Sequence, residues 1–265
     1  RTLAFLIKME TDYSVLHITG TMNMGGAEVM LMDFLRYKST NLHFDFLVNY
    51  KKNTGIVDGD FDDEIRSSGC SIHHIPTQWD IGPLKYKKLL NAICEEIKPD
   101  IVHIHMNAKS GIIAWAARMA GVEKVIVHSH ADLKIRGHWA KVFLSNQELR
   151  FQKWLIAKYA THFWGCSIEA NKSLFYPSLL DDKRSAVINN AIDAEKFASP
   201  ELKLVEELKS SYNFSENTLI LGNVGRIVRH KNISFILQLL EEYKKQKKDV
   251  AFVFEVGGCT AYISV

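Results

Sequence analysis

Strand-length apolar runs alternate with helix-length amphipathic stretches along almost the whole chain. No other feature constrains the fold as tightly. Runs at 15–18, 44–48, 72–75, 100–105, 124–128, 161–164 and 185–188 read as strands. Stretches at 27–35, 84–97, 111–120, 139–159 and 168–175 have helical spacing. The helix at 84–97 stops ahead of Pro99, because proline pushes the residue before it out of the helical region. Strand, helix, strand in repetition predicts an α/β fold, with a parallel sheet and helices on both faces.

After a polar helical stretch at 200–212 the pattern restarts. A strand at 218–224, a strongly amphipathic helix at 233–248 and a strand at 250–256 make one βαβ unit of a second domain. The expected organisation is therefore a first lobe over 9–200, a connector over 201–216 and a partial second lobe over 217–265. Residues 1–8 precede the first methionine, Met9, and are expected to be upstream sequence outside the fold. A complete α/β domain needs roughly 100–150 residues, far more than 217–265 holds.

Composition excludes several classes. The net charge of +3 is too mild to imply nucleic acid, and no long Lys/Arg run occurs. Cys70, Cys94, Cys166 and Cys259 are widely spaced without a CxxC pair, which argues against a zinc ribbon or a disulfide framework and for reduced thiols in the cytosol. No apolar run reaches the roughly 20 residues of a membrane span.

Ligands of such sheets sit at the carboxyl ends of the strands. After the first strand, Gly25 and Gly26 open a helix, where a close backbone and free amides suit phosphate or sugar oxygens, or simply make a tight turn. Two later strands end in His103-Ile-His105 and His128-Ser-His130, and residues two apart share a face. His103 and His128 lie inside their strands and read as packed, satisfied histidines. His105 and His130 lie at the edge and are the ligand candidates. A metal site with Asp132 is the weaker alternative.

The stretch from Lys134 to Trp164 mixes basic and aromatic residues. It reads either as a membrane-surface contact or as an ordinary helix with one solvated face. Lys244 to Lys248 closes a helix, where cations offset the dipole. Arg226 and Lys231 flank the turn from the 218–224 strand into the next helix. Guanidinium, ammonium and amide donors converging there suit a diphosphate.

Six segments together resemble the retaining glycosyltransferases of family 4, especially the bacterial capsule and exopolysaccharide kind. They are Met24-Gly-Gly-Ala-Glu28, Lys98-Pro-Asp-Ile-Val-His-Ile-His105, Val127-His-Ser-His130, Trp164-Gly-Cys-Ser-Ile-Glu-Ala-Asn-Lys172, Val187-Ile-Asn-Asn-Ala-Ile-Asp193 with Phe197, and Gly222-Asn-Val-Gly-Arg226 through Lys231-Asn232. The resemblance implies the GT-B fold, two Rossmann-like lobes with the acceptor on the first and a nucleotide sugar on the second. It implies that Gly25 and Gly26 approach a substrate phosphate or acceptor, that His105 lines the acceptor side and that His130 contacts the donor sugar. Arg226 and Lys231 would neutralise the leaving diphosphate, and Asn190 would lie in the crossing between lobes.

The donor implied is a UDP- or GDP-linked hexose, and the acceptor a glycan or polyprenyl-linked sugar in surface polysaccharide synthesis. Neither a cofactor nor a metal is expected, and retention by front-face attack needs no enzymic nucleophile. The expected location is cytoplasmic, with peripheral contact at the inner face of the membrane. The family's downstream pair of glutamates, seven residues apart, has no counterpart here. The expectation is thus a chain inactive by itself. Two other readings stand beside it: an acceptor-binding module completed by a partner, and a metal-dependent hydrolase using His105, His130 and Asp132.

Overall fold

The computed structural model describes residues 12–133, 138–199, 201–225, 227–228, 231–246, 249–256 and 259–264. It divides into two compact units after Ile192, ahead of the boundary expected at 200.

In the first unit the chain runs β1 (Tyr13–Gly20), α1 (Gly26–Tyr37), β2 (Leu42–Tyr50), α2 (Asp62–Ser67), β3 (Ile72–Pro76), α3 (Gln78–Ile81), α4 (Pro83–Ile97), β4 (Ile101–Ile104), α5 (Ser110–Met119), β5 (Lys124–Ser129), α6 (Trp139–Tyr159), β6 (His162–Gly165), α7 (Ile168–Leu174), α8 (Pro177–Leu180) and β7 (Ser185–Val187). The seven strands form one parallel sheet in the order β3-β2-β1-β4-β5-β6-β7. The order reverses between β1 and β4. A crevice opens at such a switch point, because the loops leaving the two strands wind to opposite faces.

The alternation along each strand builds two different faces. One carries Leu16, Ile18, Leu47, Val102, Ile104, Val127 and Phe163. They form the main core with Tyr86 and Leu90 of α4, Ile113 and Ala117 of α5, Ile156 of α6 and Leu174 of α7. Each fully buried side chain of this kind contributes about 1.5–3 kcal/mol. The other face carries Val15, Phe44, Phe46 and Val48 beneath Met30 of α1 and Ile65 of α2. It turns polar toward β4 and β5. Helix α4 ends as its sequence demands: Lys98 takes a left-handed conformation, its N–H returns to the Cys94 carbonyl, and Pro99 follows.

The second unit holds α9 (Leu202–Ser211), β8 (Leu219–Val224), α10 (Ile233–Lys245), β9 (Val250–Val256) and β10 (Cys259–Ser264). β8 and β9 are parallel, as expected of a βαβ unit. Leu240 of α10 packs on Val250, Phe252 and Phe254. β10 was not foreseen. It pairs antiparallel with the outer edge of β9, Cys259 opposite Val256 and Ser264 opposite Ala251.

Candidate active site

Five histidines share the polar half of one sheet face. The register places His17 of β1 beside His103 of β4, and His128 of β5 beside Trp164 of β6. His105 and His130 follow two residues beyond His103 and His128, so they stand on the same side. The rings form two rows across the strands. In the outer row His17 Nδ1 lies 3.2 Å from His105 Nε2, and His105 Nδ1 lies 2.8 Å from His130 Nε2. In the inner row His103 Nε2 lies 3.2 Å from His128 Nδ1. Trp164 stands edge-on to His103 and His128.

Four of the five rings, His17, His103, His105 and His128, are buried. Desolvation of the charged form keeps all five neutral. His17 and His128 are pushed down to about 3, His130 to about 4, and His103 and His105 well below the usual imidazole range. The expectation for His103 and His128 holds in one respect: each satisfies a ring nitrogen, though with the other rather than with backbone. His105, expected to line the acceptor side, has both ring nitrogens engaged by His17 and His130. Any contact it makes with a ligand through its ring nitrogens passes through His130.

Two triads of these imidazoles, His17-His103-His105 and His105-His128-His130, offer nitrogens within 4.8 Å of one another. A tetrahedral metal needs lone pairs that converge on one point about 2.0–2.1 Å away. The rings do not converge. Along each strand neighbouring rings are tilted against one another, by 43° for His103 and His105 with centroids 4.1 Å apart and by 30° for His128 and His130 with centroids 4.2 Å apart. Across the strands the bonded rings are inclined by only 3° to 29°, edge to edge, where a single N–H fills the gap. This is a hydrogen-bonded imidazole array. Asp132 is exposed and joins none of the groups of metal-ligand spacing among the described residues. A third group, Asp58, Asp62 and His74, already has its charge paired with Arg66.

The loop after β4 is tied to the last histidine of the array. Asn107, after β4, takes a positive φ of 49° and its Oδ1 accepts from the backbone N–H of His130 at 2.7 Å. On the β1 side, Gly25 caps α1 without a side-chain bond and Met24 donates its N–H to Asp60. A Cβ at Gly25 would collide with the carboxylate of Glu28. That carboxyl group is raised above its usual range by burial. The space left by Gly25 is thus held by an acid of the chain itself, which favours a hydroxyl donor over a phosphate. Gly26 is open: a methyl group added there would meet nothing within 4 Å.

In the second unit, Gly225 at the end of β8 has a φ of +142°, and the Lys231 stem packs 3.7 Å from where its Cβ would be. Asn232, left-handed at φ 53°, starts α10. Lys231 is exposed, between the turn after β8 and the residue that caps α10. Arg226 lies outside the described residues. Asn190 is exposed, in the loop after β7.

Sequence reasoning missed His17, Asn107 and Glu28. His17 sits inside an unremarkable strand, and only the adjacency of β1 and β4 brings it to His105, 88 residues away. For Asn107 the only signal was a small polar residue in the loop following a histidine strand.

The family model of the glycosyl transferase 4-like domain matches residues 47–175. The chain is 33% identical over 235 residues to a Bacillus subtilis protein named glycosyltransferase EpsF, covering 88% of this chain and 59% of that one. It is 26% identical over 232 residues to the capsular polysaccharide biosynthesis glycosyltransferase CapH of Staphylococcus aureus, covering 88% and 58%. The chain thus spans about three fifths of the length of these curated relatives. Among solved structures, Anabaena HepE in complex with UDP and glucose superposes with a TM-score of 0.65 at 17% identity, over 91% of this chain and 60% of that one. A glycosyltransferase from Rickettsia africae superposes at 0.61 and 16%, over 93% and 69%. These likenesses show the fold: α/β, with the Rossmann-like parallel sheet of GT-B proteins.

Proposed function

We propose that this chain, which carries the glycosyl transferase 4-like domain of the family 4 glycosyltransferases, serves the transfer of a hexose from a nucleotide sugar to a glycan or polyprenyl-linked acceptor in surface polysaccharide synthesis. The observation that carries this reading is the edge of the sheet at the β1–β4 switch point. A neutral imidazole, His130, follows β5, and a half-buried carboxyl group, Glu28, lies in the first turn of α1. Both are hydrogen-bonding groups suited to sugar hydroxyls. The names of the relatives and the UDP in the structural neighbours support it.

In this reading Gly26 lets the acceptor approach α1, Glu28 in the space at Gly25 meets an acceptor hydroxyl, and His130 binds an oxygen of the donor sugar. Lys231 and Arg226 neutralise the diphosphate as it leaves, in the manner of electrostatic stabilisation of developing charge. Asn190 lies in the crossing segment. The reading needs no metal or organic cofactor, since the charge would be carried by these cations. The donor would be a UDP- or GDP-hexose. Calorimetric titration with both classes tests it, with Lys231→Ala as control. Heat of binding that disappears in Lys231→Ala is the expected result. Absence of binding for every nucleotide sugar tried would sink the reading.

The same proposal places the protein in the cytoplasm, at the inner face of the membrane. No helix among the described residues is long and apolar enough to cross one. Helix α6 nevertheless exposes Trp139, Phe143, Leu144, Phe151 and Trp154, interleaved with Lys141, Arg150 and Lys158. Aromatic residues among cations suit the boundary of an anionic bilayer.

A further inference from the structure

We propose that Asn107 is a binding residue for the hexose of the nucleotide sugar, its side-chain NH2 donating to a sugar hydroxyl. The inference rests on the proposed place of that hexose beside His130. It starts from which end of the Asn107 amide is already engaged. An asparagine amide has an oxygen that only accepts and a nitrogen that only donates. The contact at 2.7 Å is to the backbone N–H of His130, which only the oxygen can receive. The amide therefore cannot turn over without losing this bond, and Nδ2 is its free end.

Other amides of the first unit clamp backbone groups in the same way. Gln78 donates to the Lys109 carbonyl, Gln152 accepts from the Ile112 N–H and Asn171 donates to the Ala186 carbonyl. In these three the opposite end of the amide is enclosed and has no partner among the described residues. Asn107 differs. It is half-buried, and its Nδ2, also without a partner among the described residues, is not one of the enclosed atoms. Two N–H donors thus remain open to a ligand. The loop that carries them follows β4, and the clamp holds them beside the end of β5. This is the carboxyl edge at which such sheets bind ligands. The φ of 49° is an uncommon conformation for a non-glycine residue, and residues held in such conformations gather at binding sites. Clamp and backbone fix the donors before a ligand arrives, so little ordering is left to oppose binding. In the proposed reading the diphosphate is met by Lys231 and Arg226 of the second unit, which leaves the sugar for this edge.

Side-chain 1H–15N spectra of the 265-residue chain test this, the Asn107 NH2 pair being assigned by its absence in Asn107→Asp. The pair should shift on saturation with a UDP- or GDP-hexose and stay in place with UDP or GDP alone. A pair that ignores the sugar, or that moves as far with the bare nucleotide, overturns the proposal, whether or not any variant folds well enough for titration. Asn107→Asp keeps the oxygen that clamps His130 and exchanges the NH2 for a second acceptor. A hydroxyl that accepted from the amide must then turn round and give up its own partner. Affinity for the nucleotide hexose relative to the bare nucleotide should fall about tenfold, one hydrogen bond's worth. Both ligands carry the diphosphate, so charge repulsion by the new carboxylate weakens both and does not by itself lower the ratio. An unchanged ratio overturns the proposal and leaves Asn107 as a clamp alone. If no nucleotide sugar binds the unsubstituted protein, the transferase reading fails and the proposal with it. Binding that persists in full in Asn107→Asp removes the proposal and leaves the transferase reading standing.

Discussion

The side-chain oxygen of Asn107 lies 2.7 Å from the backbone nitrogen of His130, so the loop after β4 fixes the loop after β5. The bond crosses between two strand ends that side-chain packing alone would leave to their own loops. Asn107 adopts the positive φ that asparagine tolerates better than alanine.

Asn107→Ala should therefore lose on two counts, the acceptor and the backbone conformation. The expected cost is about 1–3 kcal/mol in urea unfolding. Asn107→Asp keeps the acceptor and should lose much less. Equal midpoints for the alanine variant and the unsubstituted protein would remove Asn107 from the site's architecture.

The histidine array should make the protein acid-labile. Take His17, with a folded pKa of about 3 and an ordinary value of 6.5 in the unfolded chain. Above pH 6.5 both states are neutral and the stability is fully present. As pH falls below 6.5 only the unfolded chain binds the proton, so stability drops until the folded pKa is reached. At about pH 5 the loss from His17 alone is about 2 kcal/mol. His128 and His130 act in the same direction. Urea midpoints at about pH 7.5 and about pH 5 measure it, and a flat profile would contradict the burial of neutral rings.

Two glycines separate structure from ligand approach. A Cβ at Gly59 would sit 2.6 Å from backbone atoms of Met22, which cannot swing away as a side chain can. Gly59→Ala should cost about 1–3 kcal/mol, in the range of overpacked sites. Gly26→Ala meets open space at the start of a helix and should leave stability within about 0.5 kcal/mol. Acceptor affinity lost in Gly26→Ala without loss of stability would place the substrate against that backbone. Full acceptor affinity would take Gly26 out of the site.

The exposed aromatic residues of α6 should bind vesicles rich in phosphatidylglycerol, and salt should weaken the binding. In cosedimentation, Trp139→Ser with Phe143→Ser should reduce the bound fraction severalfold. Arg150→Glu should weaken binding to anionic vesicles and leave the remainder less sensitive to salt, because an attractive charge has become a repulsive one. Binding that is equal on neutral and anionic vesicles would speak against a surface of mixed aromatic and basic residues.

The strands of the parallel sheet and the long helices were legible in the sequence because each is a local pattern. The expected helix at 139–159 is the observed α6 residue for residue, and proline and glycine mark the ends of α4. The short α2, α3 and α8 carry less than two turns of periodicity, too little for a pattern to emerge. The histidine row was half legible. The i, i+2 pairs on β4 and β5 could be read from spacing, but the partner of His105 is on β1, and strand order is a property of the whole sheet. The engagement of both His105 nitrogens likewise depends on ring orientation, which a sequence does not carry. Glu28 filling the space above Gly25 belongs to the same class: a glycine advertises room, not what occupies it.

β10 has a consequence for how the second sheet can grow. A parallel strand docks by hydrogen bonding to an unfilled edge, and β9 has none left, with β8 on one side and β10 antiparallel on the other. While that hairpin persists it is a stopper. A further parallel strand, whether from this polypeptide or another, has to enter beside β8 or first peel β10 away, so the second unit accepts extension in one direction only.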